Sequence, residues 1–146
     1  MALKIVTFSL FFLSLSAGAW CASNTTITLK CNRSTKLLSP NWPSYYDNGS
    51  AGRYIIQAPA FTQITAKCSI DMFDPSPNQA CASERFYVFT GGSFDYSTAE
   101  VLCGIQEFTR ISTDNQLRMA YVSVRYSGKF SCDLIAKPIS LITILT

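Results

Sequence analysis

The chain has 146 residues, six cysteines, no histidine and a formal net charge of +3. Without imidazole, the Ser-His-Asp and Cys-His devices and most catalytic zinc sites are excluded, since each uses histidine as proton shuttle or ligand. Twelve basic residues against nine acidic ones, with no basic cluster, give no footprint for nucleic acid.

Met1 to Lys4 supply one positive charge, Ile5 to Leu15 form a short apolar run, and Ser16-Ala17-Gly18-Ala19 are small. That order reads as a secretory signal peptide over residues 1–19, cut after Ala19. A cut after Cys21, with Ala19 three positions back, satisfies the same rule. The apolar run is shorter than the ~20 residues that span a bilayer, so no transmembrane segment is expected in the mature chain. Residues 20–30 are read as an N-terminal segment, 31–136 as one domain and 137–146 as an apolar tail. Three sequons, at Asn24, Asn32 and Asn48, fit a glycoprotein of the secretory route.

Further along, Arg53 to Gln57 reads as a short strand between Gly52 and Ala58-Pro59. Ile64 to Asp71 alternates strictly, placing Ile64, Ala66, Cys68 and Ile70 on one face. Phe86 to Phe89 and Glu100 to Leu102 are strand-like, and Gly91-Gly92-Ser93 between them is a turn signal. Gln116 to Val124 sets Leu117, Met119 and Tyr121 against Arg118 and Ala120, although Val122 and Val124 blur the outer face. Lys129 to Leu134 alternates with Phe130, Cys132 and Leu134 inward. Many short strands punctuated by Gly, Pro and Asn, without helical periodicity beyond the leader, predict an all-β antiparallel sandwich or barrel.

In an exported chain, six cysteines read as disulfides rather than as a zinc site, for which close ligand pairs are missing. Inward Cys68 and Cys132, on two strands of one sandwich, are natural partners. Closing so long a loop stabilises by ~4 kcal/mol in the chain-entropy account. Cys81 and Cys103 bracket the hairpin-like excursion and would close it, for ~3 kcal/mol. Cys21 and Cys31 remain, and they can pair only if the peptidase cuts after Ala19. Otherwise Cys21 leaves with the leader and Cys31 stays unpaired.

These residues resemble the CUB domain, an extracellular jelly-roll-like β-sandwich. Ser39-Pro40-Asn41-Trp42-Pro43-Ser44-Tyr45-Tyr46 is similar to its early Ser-Pro-x-aromatic-Pro-x-x-Tyr stretch. Tyr54-Ile55-Ile56-Gln57-Ala58-Pro59 is similar to its aromatic-x-Ile-x-Ala-Pro strand. Phe73-Asp74, the Cys81 segment, Cys103-Gly104, Leu117-x-Met119-x-Tyr121 and Gly128-x-Phe130 follow in the family's order. The resemblance covers about Cys31 to Ile135 and is nearest to CUB modules beside arthropod serine-protease domains, where the cysteines matching Cys68 and Cys132 also occur. A stand-alone arrangement is similar to that of the spermadhesins. The family's usual second cysteine falls at Gly52, so its first bridge cannot form. Calcium-binding members use three acidic residues, since Ca²⁺ needs several hard oxygens. The matching positions here are Ser76, Glu84 and Val124, so no metal and no cofactor are expected.

The resemblance implies recognition of an extracellular protein or glycan, without catalysis. The carboxylates, from Asp71 and Asp74 to Asp133, read as turn and surface residues, and no Gly-rich phosphate loop is present. Candidate binding residues are Phe94 and Tyr96 after the glycine turn and Arg125 and Tyr126 before the last strand, since exposed aromatic and Arg side chains anchor interfaces. Tyr45, at a family framework position, is expected in the core. Two other readings stand beside a secreted binding module: a non-catalytic remnant or short isoform of a CUB-containing protease with a regulatory role, and a structural glycoprotein held by its tail.

Overall fold

The computed structural model describes residues 23–75, 81–89 and 91–140. They form nine strands: β1 (Ser23–Thr28), β2 (Ser34–Leu38), β3 (Ala51–Gln57), β4 (Thr62–Met72), β5 (Glu84–Phe89), β6 (Glu100–Leu102), β7 (Gly104–Ile111), β8 (Gln116–Ser123) and β9 (Gly128–Pro138). One sheet runs β1-β3-β8-β5-β6 and the other β2-β9-β4-β7. Every pairing is antiparallel except that of β1 with β3. The leader and its cleavage point, Cys21, Ser76 and residues 141–146 lie outside the described residues, and with them the Cys21–Cys31 pairing.

The long ladder between β4 and β9 is the backbone of the second sheet. Period-two alternation puts Ile64, Ala66, Cys68, Ile70 and Met72 inward on β4, and Phe130, Cys132, Leu134 and Ala136 inward on β9, all buried. Cys68 and Cys132 face each other in register, with Cα atoms 4.0 Å apart, and are joined. The bridge therefore ties neighbouring strands of one sheet rather than one sheet to the other. Across the gap, Tyr54, Ile56, Phe86, Val88, Leu117, Met119 and Tyr121 complete the core from the five-stranded sheet. Cys81 and Cys103 form the second bridge, fastening the lead-in of β5 to the end of β6.

Residues 20–30 contribute a strand of the sandwich itself: Ser23–Thr28 lies parallel along β3, and Leu29 behind it is buried. Cys31 is exposed and has no disulfide partner among the described residues. The blurred outer face of β8 has a cause. Tyr87, Phe89 and Ala120 are buried on that face because the excursion between β5 and β6 folds over them, with Phe94, Ala99 and Val122 packed alongside.

Gly52 explains why the family's first bridge has no counterpart. It is buried opposite Tyr121, and a Cβ there would come within 2.6 Å of the Tyr121 ring. That ring is wedged among Tyr46, Tyr54 and Phe130 and has nowhere to go. Gly52→Ala is expected to lower stability by about 1–3 kcal/mol, the usual cost of overpacking, measured by urea unfolding with both bridges intact. An unchanged midpoint would show that the ring yields.

Candidate functional site

The loops joining β2 to β3 and β8 to β9 meet the ends of β4 and β7 around an open cavity of about 850 Å³. Tyr45, Asp71, Phe73, Ile105, Arg125 and Tyr126 are among the residues that line it. Beneath it lies Glu84, fully buried although it is a carboxylate. Its parity explains the placement: 84, 86 and 88 share the inward face of β5.

Burying an ionisable group is tolerated when donors replace the lost water. Glu84 Oε1 accepts the successive backbone N–H groups of Val124 (3.2 Å), Arg125 (3.4 Å) and Tyr126 (2.9 Å). The Tyr46 hydroxyl donates to Oε2 from 3.4 Å. Burial, with the Glu84 charge beside it, pushes the Tyr46 phenol far above its ordinary range, so it remains a donor. Ser123 Oγ accepts from Gly49 N–H at 3.1 Å and donates to the Tyr126 carbonyl, knitting two of the loops together. Gly128 is required beside this network, because a Cβ there would lie 2.5 Å from the Tyr46 hydroxyl. The loop carrying Arg125 and Tyr126 is thus held in shape from below.

The wall of the cavity is built from side chains. Tyr45 donates its hydroxyl to Asp71 Oδ2 at 2.7 Å, and that hydrogen bond, with the Asp71 charge, raises the Tyr45 phenol above its usual value. Lys129 Nζ sits 3.9 Å from the same oxygen and 4.7 Å from the centre of the Tyr45 ring. Phe73 meets Tyr126 edge to face at 4.8 Å, both exposed. The expectation that Tyr45 belongs to the core is corrected. Tyr46 fills the core at 1 % exposure, while Tyr45 is 47 % exposed on the cavity wall.

Arg125 and Tyr126 therefore come together, but Phe94 and Tyr96 lie elsewhere, on the outer face of the five-stranded sheet. Phe94 is half-buried and meets Phe89 edge to face at 5.1 Å; Tyr96 meets Tyr87 at 4.8 Å. Arg53 donates to the Tyr96 hydroxyl at 3.1 Å, and its guanidinium stacks over both rings. Much of their surface serves that lid. Beside it, Arg53, Tyr96, Val122 and Val124 line a smaller apolar cleft of about 320 Å³. The sequence reading took Glu84 for a surface carboxylate, which is corrected by its burial, and gave no site role to Phe73 or Lys129. The parity of Glu84 with Phe86 and Val88 is the one signal that could have found it.

Among the described residues, nine strands in two sheets, with the β4–β9 cross-strand bridge and a loop-built cavity at one end, define the class of disulfide-stapled β-sandwich domains. Within that class the assignment is direct: the family model of the CUB domain matches residues 21–131, and the chain belongs to the CUB domain family. Among solved structures, the full extracellular region of zebrafish Gpr126/Adgrg6 is similar at 24 % identity and a TM-score of 0.59, over 81 % of this chain and 15 % of that one. The CUB1-EGF-CUB2 domain of human MASP-1/3 is similar at 16 % identity and a TM-score of 0.62, over 79 % and 42 %. The MASP-1 CUB2 domain bound to Ca²⁺ matches at 16 % identity and a TM-score of 0.61, over 79 % of this chain and 99 % of that one. The first two are long chains of which this one spans less than half. No curated protein matches.

The last of these raises calcium, and the residues present do not fit the ion. Glu84 Oε1 is filled by three amide protons, which a cation would have to displace. Val124 offers no side-chain oxygen. Asp71 is already engaged by a phenol and an ammonium. Asp74 Oδ2 accepts the Cys81 N–H at 2.9 Å, and the sulfurs near it are locked in a disulfide. Too few free hard oxygens remain for a six- to eight-coordinate ion. Adding Ca²⁺ or a chelator is expected to leave the melting temperature unchanged, and a calcium-dependent rise would overturn this reading. Glu84→Ala, which strands three amide donors and a phenol, is expected to lower stability by roughly 3 kcal/mol, with Glu84→Gln in between, both read by chemical denaturation.

Proposed function

We propose that the chain is a secreted, non-catalytic CUB module that recognises an extracellular protein or glycan through the cavity at its loop end. The observation that carries this is the pairing of display with rigidity. Tyr45, Phe73, Arg125 and Tyr126 are exposed, yet the loop that presents two of them is fastened to Glu84 by its own backbone. Preorganised aromatic and Arg side chains lose little entropy on binding, which makes them effective anchors. Asp71 and Asp74 at the cavity and Glu84 beneath it accept hydrogen bonds that shape the loops, and this supports a role in holding form rather than in moving protons. The charge-bearing groups Arg125, Lys129 and Asp71 sit among aromatic faces, a mixture suited to protein or sugar surfaces.

Export is supported by the leader-like start, the two disulfides and the exposure of Asn24, Asn32 and Asn48. Asn48 stands at the cavity. A glycan there would shade one side of the mouth. A regulatory role derived from a longer CUB-bearing protease is the second reading. It is favoured by the fact that the multidomain neighbours carry this fold as one part of a longer chain.

Expression of the full chain in insect cells should release it into the medium with Trp20 as its first residue and glycans on the three sequons, read by intact-mass and peptide spectrometry. Retention of an uncleaved chain inside the cell would refute export. A photo-crosslinking residue placed at Tyr126 should then capture a partner from the conditioned medium, with capture abolished by Arg125→Ala and absent for the same probe at Lys67. Equal capture at Lys67, which faces out from the middle of the four-stranded sheet, would sink the cavity as the recognition site.

A further inference from the structure

The two long sides of the sandwich are treated differently by the sequence. One side is edged by β1 and β2, where Asn24 lies on β1, Asn32 in the turn that follows, and the exposed Lys36 on β2. The other is edged by β6 and β7. β7 is eight residues long and, among the described residues, pairs with β4 alone, so alternate N–H and C=O groups face its free side; the Thr109 carbonyl accepts from the Arg110 guanidinium at 2.7 Å. Edge strands are usually blunted by proline, by charge or by a covering element. β7 has no proline and displays Ile105 at 84 % and Ile111 at 62 % exposure.

Parity fixes what each β7 residue can meet. Phe108 pairs with Cys68 and points inward to the core, so Gln106 and Arg110 share its face, while Ile105, Glu107, Thr109 and Ile111 face outward. A second copy laid antiparallel along this edge, about a two-fold axis perpendicular to the sheet, keeps inward with inward and outward with outward. Centred on Phe108, that arrangement sets Ile105 against Ile111 of the other copy twice over, Glu107 against Thr109, Gln106 against Arg110, and Phe108 against itself. Each exposed isoleucine gains an isoleucine opposite, and no like charges stand face to face. Glu100, which holds Arg110 in an ion pair across β6 and β7, keeps that guanidinium aligned beside the edge. Exposed Val101 on β6 lies on the same side of the molecule.

We propose that β7 is a homodimerisation strand. Two copies of the chain pair β7 to β7 in the register centred on Phe108, joining their four-stranded sheets into one sheet of eight. The symmetry closes on itself, as an isologous contact must, and does not propagate into a fibre. Ile105 also lines the cavity, so the two readings meet at that residue, but a dimer is read by mass and recognition by capture, and Ile111, outside the cavity lining, tests the dimer by itself.

The test uses the mature glycosylated chain in a Cys21→Ser/Cys31→Ser background, so that covalent pairing through those sulfurs plays no part. Light scattering after gel filtration over a dilution series should show a concentration-dependent dimer. Ile105→Lys alone and Ile111→Glu alone should each weaken it about tenfold or more, as expected for losing two apolar cross-strand pairs and setting a charge against an isoleucine. Ile105→Lys combined with Ile111→Glu in one chain should restore it, because the register then pairs lysine with glutamate. Both positions are exposed, and unchanged melting temperatures would confirm that the variants fold. A chain monomeric at every concentration, or a dimer indifferent to Ile105→Lys, would overturn the proposal. So would a monomer whose β7 amides exchange slowly until residues 139–146 are deleted, which would assign the edge to the chain's own tail.

Discussion

A carboxylate withdrawn from water has to be given donors in exchange, and at Glu84 those donors are the backbone of another loop. The consequence runs outward from that one oxygen. Val124, Arg125 and Tyr126 turn their N–H groups down toward it, so their side chains turn up and away. Tyr46 reaches the second oxygen, and Gly128 leaves the space for it. The loop between β2 and β3 is drawn in through Gly49 and Ser123. Three segments far apart in the chain thereby share one electrostatic anchor. A loop ordered in this way takes its shape from donors and acceptors of the chain itself.

Much of the architecture was legible because a half-buried strand writes its own period. β3, β4, β5, β6, β8 and β9 all fall where alternation or turn residues placed them, and the two bridges join the cysteines that shared inward parity or bracketed the excursion. The strands that escaped notice are those at the edges. β1 is Ser, Asn and Thr with a single Ile, because one side of it meets solvent. β2 is five residues long. β7 carries only one inward apolar side chain, Phe108, since a strand at the rim has half a core to face. Edge position weakens the very pattern by which strands are read.

The site was less legible than the fold, and for a definite reason. Residue type marks Arg125 and Tyr126 as contact side chains, and the structure sets them together at the cavity. The same logic applied to Phe94 and Tyr96 meets a competing use. Tyr87 and Phe89 face outward on β5 and must be covered, and the excursion that covers them has aromatic residues for that purpose. Between Tyr45 and Tyr46, the motif's closing Tyr falls by count on Tyr46, although the sequence reading gave the core to Tyr45. The backbone settles it, because Tyr46 N–H is bonded to the Gly128 carbonyl at 2.8 Å and its side chain drops between the sheets. Adjacent residues on an extended loop take opposite sides, so one place in register exchanges core for surface.

The aromatic ring laid over Gly52 also governs how the domain responds to a pull. Where a covalent staple would have clamped the leading strand, the described residues hold it by the ladder of β1 along β3, the plug of Leu29 and the Cys31–Ala136 β-bridge. Tension applied at the N-terminus would therefore meet a zipper, its bonds parting one after another. Tension on β4 or β9 would meet a sulfur–sulfur link shared in parallel with eleven residues of pairing. The molecule is soft at its beginning and stiff through its middle. An attachment made through the leading strand would be the compliant one, leaving the cavity end undisturbed while the linkage stretches.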